Sequence, residues 1–152
     1  MPILLDNITL PTGIMFEGAP ADTPPGQAQY TTPGTYSWTA PAGVTSVSVV
    51  CIGGGGSGGT SGGNNGPGGG GGGGGATAYK NNIAVTPLSS YTVVVGAGGT
   101  TLGSTTTRYS GGLSSFSNTI VTVTAGGGQG ALTYLSSNQS NGTGGVRSGT
   151  YD

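Results

Sequence analysis

The chain has 152 residues, of which 36 are Gly and 9 are Pro, and it carries three basic and four acidic residues for a net charge of −1. It contains no His, which excludes a Ser-His-Asp triad, an imidazole metal site and a histidine proton shuttle. The basic residues Lys80, Arg108 and Arg147 are too few to neutralise a phosphate backbone, which excludes nucleic-acid binding. The composition therefore predicts a structural or binding protein that is not an enzyme and uses no cofactor or metal.

The first 29 residues predict an extended N-terminal arm, because Pro at positions 2, 11, 20, 24 and 25 excludes a helix. Its apolar clusters suit an anchor that docks in a groove or adds to a sheet edge of another protein. These clusters are Ile3, Leu4, Leu5 and Ile14, Met15, Phe16. The alternative is that the segment forms a strand of the main domain's own sandwich. The arm lacks the features of a signal peptide, and no apolar run in the chain approaches the roughly 20 residues of a membrane span.

The firmest predicted strand covers residues 44–52, which alternate with a period of two and are rich in β-branched side chains. Val47, Val49 and Cys51 share one face, and we interpret Cys51 as a buried apolar residue rather than a nucleophile. The other face begins with two serines and turns apolar toward its end. This pattern predicts a strand with one face in a core.

Further strands are predicted at regular intervals between turn signals. They cover residues 76–80, 82–85, 91–95, 114–117, 119–124 and, more weakly, 131–135, whereas residues 29–38 alternate only loosely and are broken by the turn signal Pro33-Gly34. No window shows the i, i+3, i+4, i+7 recurrence of an amphipathic helix. We therefore expect an all-β domain over residues 30–152, built as a small jelly-roll-like β-sandwich of six or seven short strands.

The glycine tract at residues 53–75 holds 17 Gly among its 23 positions. A flexible loop is one interpretation, since glycine loses the most backbone entropy when it becomes ordered. An ordered tract is favoured because predicted strands flank it, and because Asn64-Asn65-Gly66-Pro67 is a turn that reverses the chain. Collagen is excluded because Gly does not occupy strictly every third position. A dinucleotide site is excluded because neither a helix nor an acidic residue about 20 positions on follows the glycines.

Polyglycine can form an extended left-handed threefold helix, with a rise of about 3.1 Å per residue and no internal hydrogen bonds. Its N–H and C=O groups point outward, so neighbouring helices without side chains can approach closely and satisfy those groups laterally. Shorter glycine runs recur at residues 96–99, 111–112, 126–130 and 142–145. We therefore expect the runs to pack side by side as polyglycine-II helices against the β-sandwich.

Several short motifs follow one another in a fixed order along the domain. They are Gly34-Thr35-Tyr36-Ser37-Trp38, Ala40-Pro41-Ala42-Gly43-Val44, the polyglycine stretch ending at Gly75-Ala76, Val85-Thr86-Pro87-Leu88, and the segments 91–99, 111–116 and 123–128. This ordered set resembles the glycine-rich domain of bacteriophage tail-fibre and adhesin proteins. The resemblance implies a β-sandwich decorated with polyglycine helices.

The resemblance also implies a non-enzymatic structural protein on the surface of a virion, assembled in the host cytoplasm. Its implied role is host attachment as an appendage of the tail-fibre type, with the arm at residues 1–29 docking it to other virion proteins. By the same analogy we expect a homo-oligomer, with a trimer as the expected state, that contacts a host-surface glycan or protein and inserts into no membrane. The alternatives are a capsid decoration, cement or head-fibre protein without a receptor role, and a secreted bacterial matrix or adhesion domain.

Recognition is expected on loops that a rigid scaffold displays. The candidates are Asn64 and Asn65 at the turn of the glycine tract, and Arg108 and Tyr109 in a threonine-rich stretch. A further candidate covers residues 134–141. An Arg and a Tyr in a polar loop suit contact with sugars or protein, and the alternative for each stretch is an ordinary solvated loop.

Overall fold

A computed structural model of the chain describes residues 26–59, 69–100, 109–131 and 143–149. These residues contain seven β-strands and no helix, so the all-β prediction is confirmed for them. The strands are β1 Gly34–Thr39, β2 Ser46–Ile52, β3 Thr77–Ala84, β4 Ser90–Val95, β5 Ser114–Ser117, β6 Thr122–Ala125 and β7 Arg147–Gly149.

The strands form two antiparallel sheets. One sheet has five strands in the order β1-β4-β5-β6-β7, and the other pairs β2 with β3. Neither sheet closes into a barrel within the described ranges. The sheets share one core, to which β2 and β3 contribute Cys51 and Ile83 while β5 and β6 contribute Phe116 and Val123. A jelly-roll arrangement of these sheets stays a prediction.

Strand β2 shows the period of two that its sequence predicts. Val47, Val49 and Cys51 lie on the covered face, and Cys51 is buried. The opposite face turns apolar toward its end but is open to solvent, since Val50 and Ile52 are each 65% exposed. Antiparallel sheets commonly bury one face and solvate the other, and the two-stranded sheet follows this rule.

Strand β3 is continuous over eight residues, where the sequence pattern predicts two pieces, 76–80 and 82–85. The pattern breaks because the pairing register with β2 shifts between Val47 and Val49. Asn82 of β3 has a φ of 52°, in the left-handed region that Asn tolerates better than most residues. An irregularity of this kind bends a strand and re-aims its side chains without ending it.

The remaining strands differ from prediction mainly at their ends. β6 starts at Thr122, later than expected, because Asn118 organises a turn in which its Oδ1 accepts the N–H groups of Ile120 and Val121 at 2.8 Å. Such side-chain bonds from Asn are typical of turns. The sequence pattern does not predict β7. Of the weak candidate at 131–135, only Ala131 is described, and it lies outside the strands.

Aromatic side chains fill the core between the sheets. The rings of Tyr91 and Phe116 stack with centroids 5.2 Å apart, and Trp38 packs against them at 5.7 and 6.0 Å. The hydroxyl oxygen of Tyr91 accepts the N–H of Thr86 at 2.9 Å, so its polar end is satisfied although the residue is buried. Trp38 is partly buried and packs against this core.

Burial raises the pKa of the Cys51 thiol above its usual range, and a backbone hydrogen bond from Phe116 offsets part of this effect. The thiol therefore stays protonated at neutral pH, and its Sγ donates to the carbonyl oxygen of Val123 at 3.7 Å. An acid whose pKa is raised by folding stabilises the fold fully below its unfolded pKa and loses that contribution as pH rises through the folded value.

We therefore expect the free energy of unfolding to decline as pH rises above the ordinary thiol value of about 8.5. Cys51→Ala removes the titrating group and should show a shallower decline, although it is less stable at pH 7 because it leaves a cavity. Urea unfolding between pH 7 and pH 10 measures both slopes. Identical slopes in the two proteins would contradict the assignment of the decline to Cys51.

Candidate functional site

Six glycine-rich segments extend the strands at one end of the sheets. They cover residues 53–59, 69–76, 96–100, 109–113, 126–131 and 143–146, and are named segments 1 to 6 in that order. Segments 1, 3 and 5 follow β2, β4 and β6, whereas segments 2, 4 and 6 lead into β3, β5 and β7. The strand register pairs Ile52 with Thr77 and Ala125 with both Ser114 and Arg147, so the segments leave the sheets side by side.

In segment 1, every third N–H group donates to the same neighbouring segment. Gly53, Gly56 and Gly59 donate to carbonyl oxygens of segment 2 at 2.8–2.9 Å. Gly54 and Ser57, each one residue further on, donate to segment 4 at 2.9 Å. A strand would return to the same neighbour after two residues rather than three, so this segment does not pair as a β-strand.

The same spacing of three recurs wherever two bonds join a pair of segments. Segment 2 donates to segment 5 from the N–H groups of Gly73 and Ala76. Segment 5 donates to segment 6 from Gly126 and Gln129, and to segment 1 from Gly128 and Ala131. Ala131 belongs to the weak strand of the sequence prediction, but its N–H donates to the Ser57 carbonyl at 2.9 Å. Ala131 lies three residues after Gly128, which also donates to segment 1. This spacing is the sequence signal that assigns Ala131 to the glycine-rich segment rather than to a strand.

The hydrogen bonds connect the six segments as two rows of three segments each. Segment 1 is bonded to segments 2 and 3 in the first row, and segment 5 to segments 4 and 6 in the second. Further bonds join the rows: segment 1 to segments 4 and 5, segment 2 to segments 5 and 6, and segment 3 to segment 4. We call this assembly of segments 1 to 6 the glycine array. The bonds between segments join backbone groups to each other, and the N–H of Gly96 in segment 3 donates to the Oγ of Ser114 at 3.0 Å.

Most described glycines of the array leave no room for a side chain. A Cβ atom at Gly54 or Gly73 would come closer than 3.0 Å to the carbonyl oxygen of Ala97 or Thr143, respectively. The obstacle is backbone, which cannot move aside as the end of a flexible side chain can. The same conflict with a carbonyl oxygen holds for Gly53, Gly56, Gly72, Gly75, Gly96, Gly99, Gly111, Gly126, Gly127, Gly128, Gly130 and Gly145.

A second group of glycines faces open space in the first row of the array. A Cβ atom at Gly71 or Gly74 would meet nothing within 4 Å. At Gly55, Gly58 and Gly98 its nearest neighbour would lie at 3.7–3.9 Å, an ordinary contact distance. The open positions of segments 1 and 2 are three residues apart, which repeats the spacing of the hydrogen bonds.

The structure describes one of the four predicted recognition residues. Tyr109 is half-buried at the start of segment 4, and its carbonyl oxygen accepts the N–H of Ser57 at 2.9 Å, so its backbone belongs to the array. Asn64, Asn65 and Arg108 lie outside the described residues, as does the candidate loop at 134–141. The anchor residues Ile3, Leu4, Leu5, Ile14, Met15 and Phe16 lie outside them too.

The chemistry of the array is that of the peptide group. Tyr109 is the one ionisable side chain in segments 1 to 6. In the part of the chain that the structure describes, no group of three His, Cys, Asp or Glu side chains could hold a metal ion. A helix able to span a membrane is also absent from that part. What the array offers is hydrogen bonding and a scaffold for the chain that joins its segments.

An all-β domain with this array defines a glycine-rich class of protein. The chain matches the glycine-rich domain family over residues 31–152, and it belongs to that family. No curated protein and no solved structure gives a significant match to it.

Proposed function

We propose that segments 1 to 6 are polyglycine-II helices that together form a rigid rod-like extension of the β-sheets. In that conformation the chain turns one third of a revolution per residue, so every third residue faces the same neighbour. The three-residue spacing of the donors in segments 1, 2 and 5 supports this proposal. The glycines at which a Cβ atom would overlap a carbonyl oxygen support it too, because the packing needs bare backbone on the inner faces.

We propose that the protein is a virion surface appendage of a bacteriophage, of the tail-fibre or adhesin type, with a role in host attachment. The observation that carries the proposal is the arrangement of the array ends. Residues 59 and 69, 100 and 109, and 131 and 143 are the ends that lie away from the strands. The connections 60–68, 101–108 and 132–142, whose sequences are not limited to glycine, all start from this one tip of the array. A scaffold that displays loops in this way is typical of recognition proteins.

These connections hold the recognition candidates that the sequence predicts, with Asn64 and Asn65 in the first and Arg108 in the second. Tyr109 begins the described residues after the second connection. The proposal assigns the contact with a host-surface glycan or protein to this tip. It assigns attachment to other virion proteins to the arm at residues 1–29, at the far end of the sequence from β7. A homo-oligomeric, trimeric state is part of the same proposal by family analogy.

Localisation and adsorption together test this function. Gold-labelled antibody against the chain should decorate the outer surface of intact particles in electron micrographs. Particles assembled without the chain should adsorb to host cells much more slowly than complete particles, and adding back the full chain should restore adsorption. Normal adsorption of particles that lack the chain would contradict host attachment, and label confined to the capsid would favour a decoration protein.

A further inference from the structure

The outward positions on the outer face of the five-stranded sheet are mainly Ser and Thr. Trp38, Tyr91, Phe116 and Val123 point into the core from this sheet, so the residues that alternate with them point outward. The outward positions on β1, β4, β5, β6 and β7 are Thr35, Ser37, Thr39, Ser90, Thr92, Val94, Ser115, Ser117, Thr122, Thr124 and Ser148. Ten of these eleven residues are Ser or Thr, whereas Ser and Thr make up 39 of the 152 residues of the chain.

Strand pairing aligns these residues in rows across the sheet. One row runs from Thr35 through Val94, Ser115 and Thr124 to Ser148, one residue from each strand. A second row contains Ser37, Thr92, Ser117 and Thr122. Neighbours within a row are about 4.8 Å apart and the rows about 6.8 Å apart, so the first row spans roughly 19 Å. The second row carries a hydroxyl at each of its four positions, whereas the first row is interrupted by Val94 and by Ser115, which is buried.

The hydroxyl face carries no charged side chain at any of its outward positions. Each hydroxyl is both a donor and an acceptor of hydrogen bonds. The two hydroxyls at one side of the face already pair in this way, with the Oγ atoms of Ser37 and Ser90 2.5 Å apart. A ligand that matches the face must be neutral and must offer donors and acceptors at many points. A polyhydroxylated sugar chain has this chemistry, whereas an anionic or cationic polymer would find no opposite charge.

The geometry of the sheet also favours a chain molecule over a crystalline surface. Neighbouring strands of a sheet are rotated by about 20–25° relative to one another. Over five strands this twist takes the hydroxyl rows out of one plane, so they cannot match a flat rigid lattice such as ice. A second copy of the face is disfavoured as well, since a hydroxyl-covered sheet offers little apolar area to bury. A flexible polysaccharide can follow the twist.

We propose that the outer face of the five-stranded sheet binds a neutral polysaccharide, which crosses the strands along the row Ser37, Thr92, Ser117 and Thr122. The inference rests on the proposed role in host attachment and gives it a second, lateral contact besides the tip. It names the class of ligand as an uncharged glycan chain of the host surface. The binding energy comes from many weak hydrogen bonds made at once.

Affinity electrophoresis of the full chain tests this assignment. The probes are dextran, mannan and galactan as neutral polysaccharides, and alginate as an anionic one. We expect at least one neutral polysaccharide to slow the migration of the protein and alginate to leave it unchanged. Thr92→Val, Thr122→Val and Thr124→Val in one variant keep the side-chain shape but remove three hydroxyls, and should weaken binding about tenfold or more.

The matched control is the triple variant Thr45→Val, Thr77→Val, Thr119→Val, which changes three exposed threonines outside the face and should bind as the natural protein does. No retardation in any neutral gel, retardation by alginate, or equal losses in the two variants would overturn the assignment. Particles that carry the face variant should adsorb less well than particles that carry the control. If they adsorb equally well while particles without the chain fail to adsorb, the face assignment is wrong and the attachment function stands.

Discussion

Gly54→Ala and Gly73→Ala are each expected to destabilise the protein by about 3 kcal/mol or more, the upper end of the range for overpacked sites. In both cases the new Cβ atom would overlap a backbone carbonyl oxygen of a neighbouring segment. Relief requires the two segments to move apart, which lengthens the hydrogen bonds between them. Urea unfolding followed by circular dichroism gives the change in the free energy of unfolding.

The adjacent glycines provide matched controls for these two substitutions. Gly55→Ala and Gly74→Ala place the same methyl group on the open side of the same segments. Because alanine restricts the unfolded chain more than glycine does, these variants should be unchanged or more stable by about 0.4–1 kcal/mol. Losses of similar size at Gly54 and Gly55, or at Gly73 and Gly74, would contradict the described packing of the array.

Phe116→Ala is expected to cost about 3–5 kcal/mol, since it removes a buried ring from the centre of the core. Phe116 is 5% exposed and stacks on Tyr91 at 5.2 Å, with Trp38 at 6.0 Å. Loss of the ring leaves a cavity between the two sheets that the surrounding side chains fill only in part. The same unfolding measurement checks this prediction.

Ile120→Ala is the control for the core substitution, because Ile120 is 86% exposed. Its removal should change the free energy of unfolding by no more than about 0.5 kcal/mol. A loss at Phe116 no larger than that at Ile120 would mean that the aromatic cluster does not hold the two sheets together. A large loss at Phe116 alone supports the shared core.

The strands were predictable from sequence where a period of two coincides with β-branched residues. β2 and β4 meet this condition, and both lie where the pattern indicates. β3 was split in the prediction because the polar residues Asn81 and Asn82 sit at its irregular pairing with β2. β7 is a three-residue strand, Arg-Ser-Gly, without an apolar alternation, and only its pairing with Val123, Thr124 and Ala125 makes it a strand.

The glycine runs were also predictable, because composition alone separates them from the strands. Their mutual pairing was not. A run without side chains carries no information on which other run it contacts, so nothing in residues 53–59 indicates that segments 2, 3, 4 and 5 are their partners. The register comes from the strands, which fix where each segment leaves the sheets. The hydroxyl face was missed for a related reason, since its rows are assembled from five strands that are far apart in sequence.

Amide hydrogen exchange across segment 1, resolved by residue, tests the glycine array most directly. The N–H groups of Gly53, Gly54, Gly56, Ser57 and Gly59 are hydrogen-bonded to neighbouring segments. They should exchange at least about 100-fold more slowly than random coil, equivalent to an opening free energy of about 2.7 kcal/mol. Fast exchange is expected at the third position of each repeat, residues 55 and 58, whose N–H groups donate to no neighbouring segment within the described residues. Random-coil rates throughout residues 53–59, or uniform protection without this repeat of three, would contradict it.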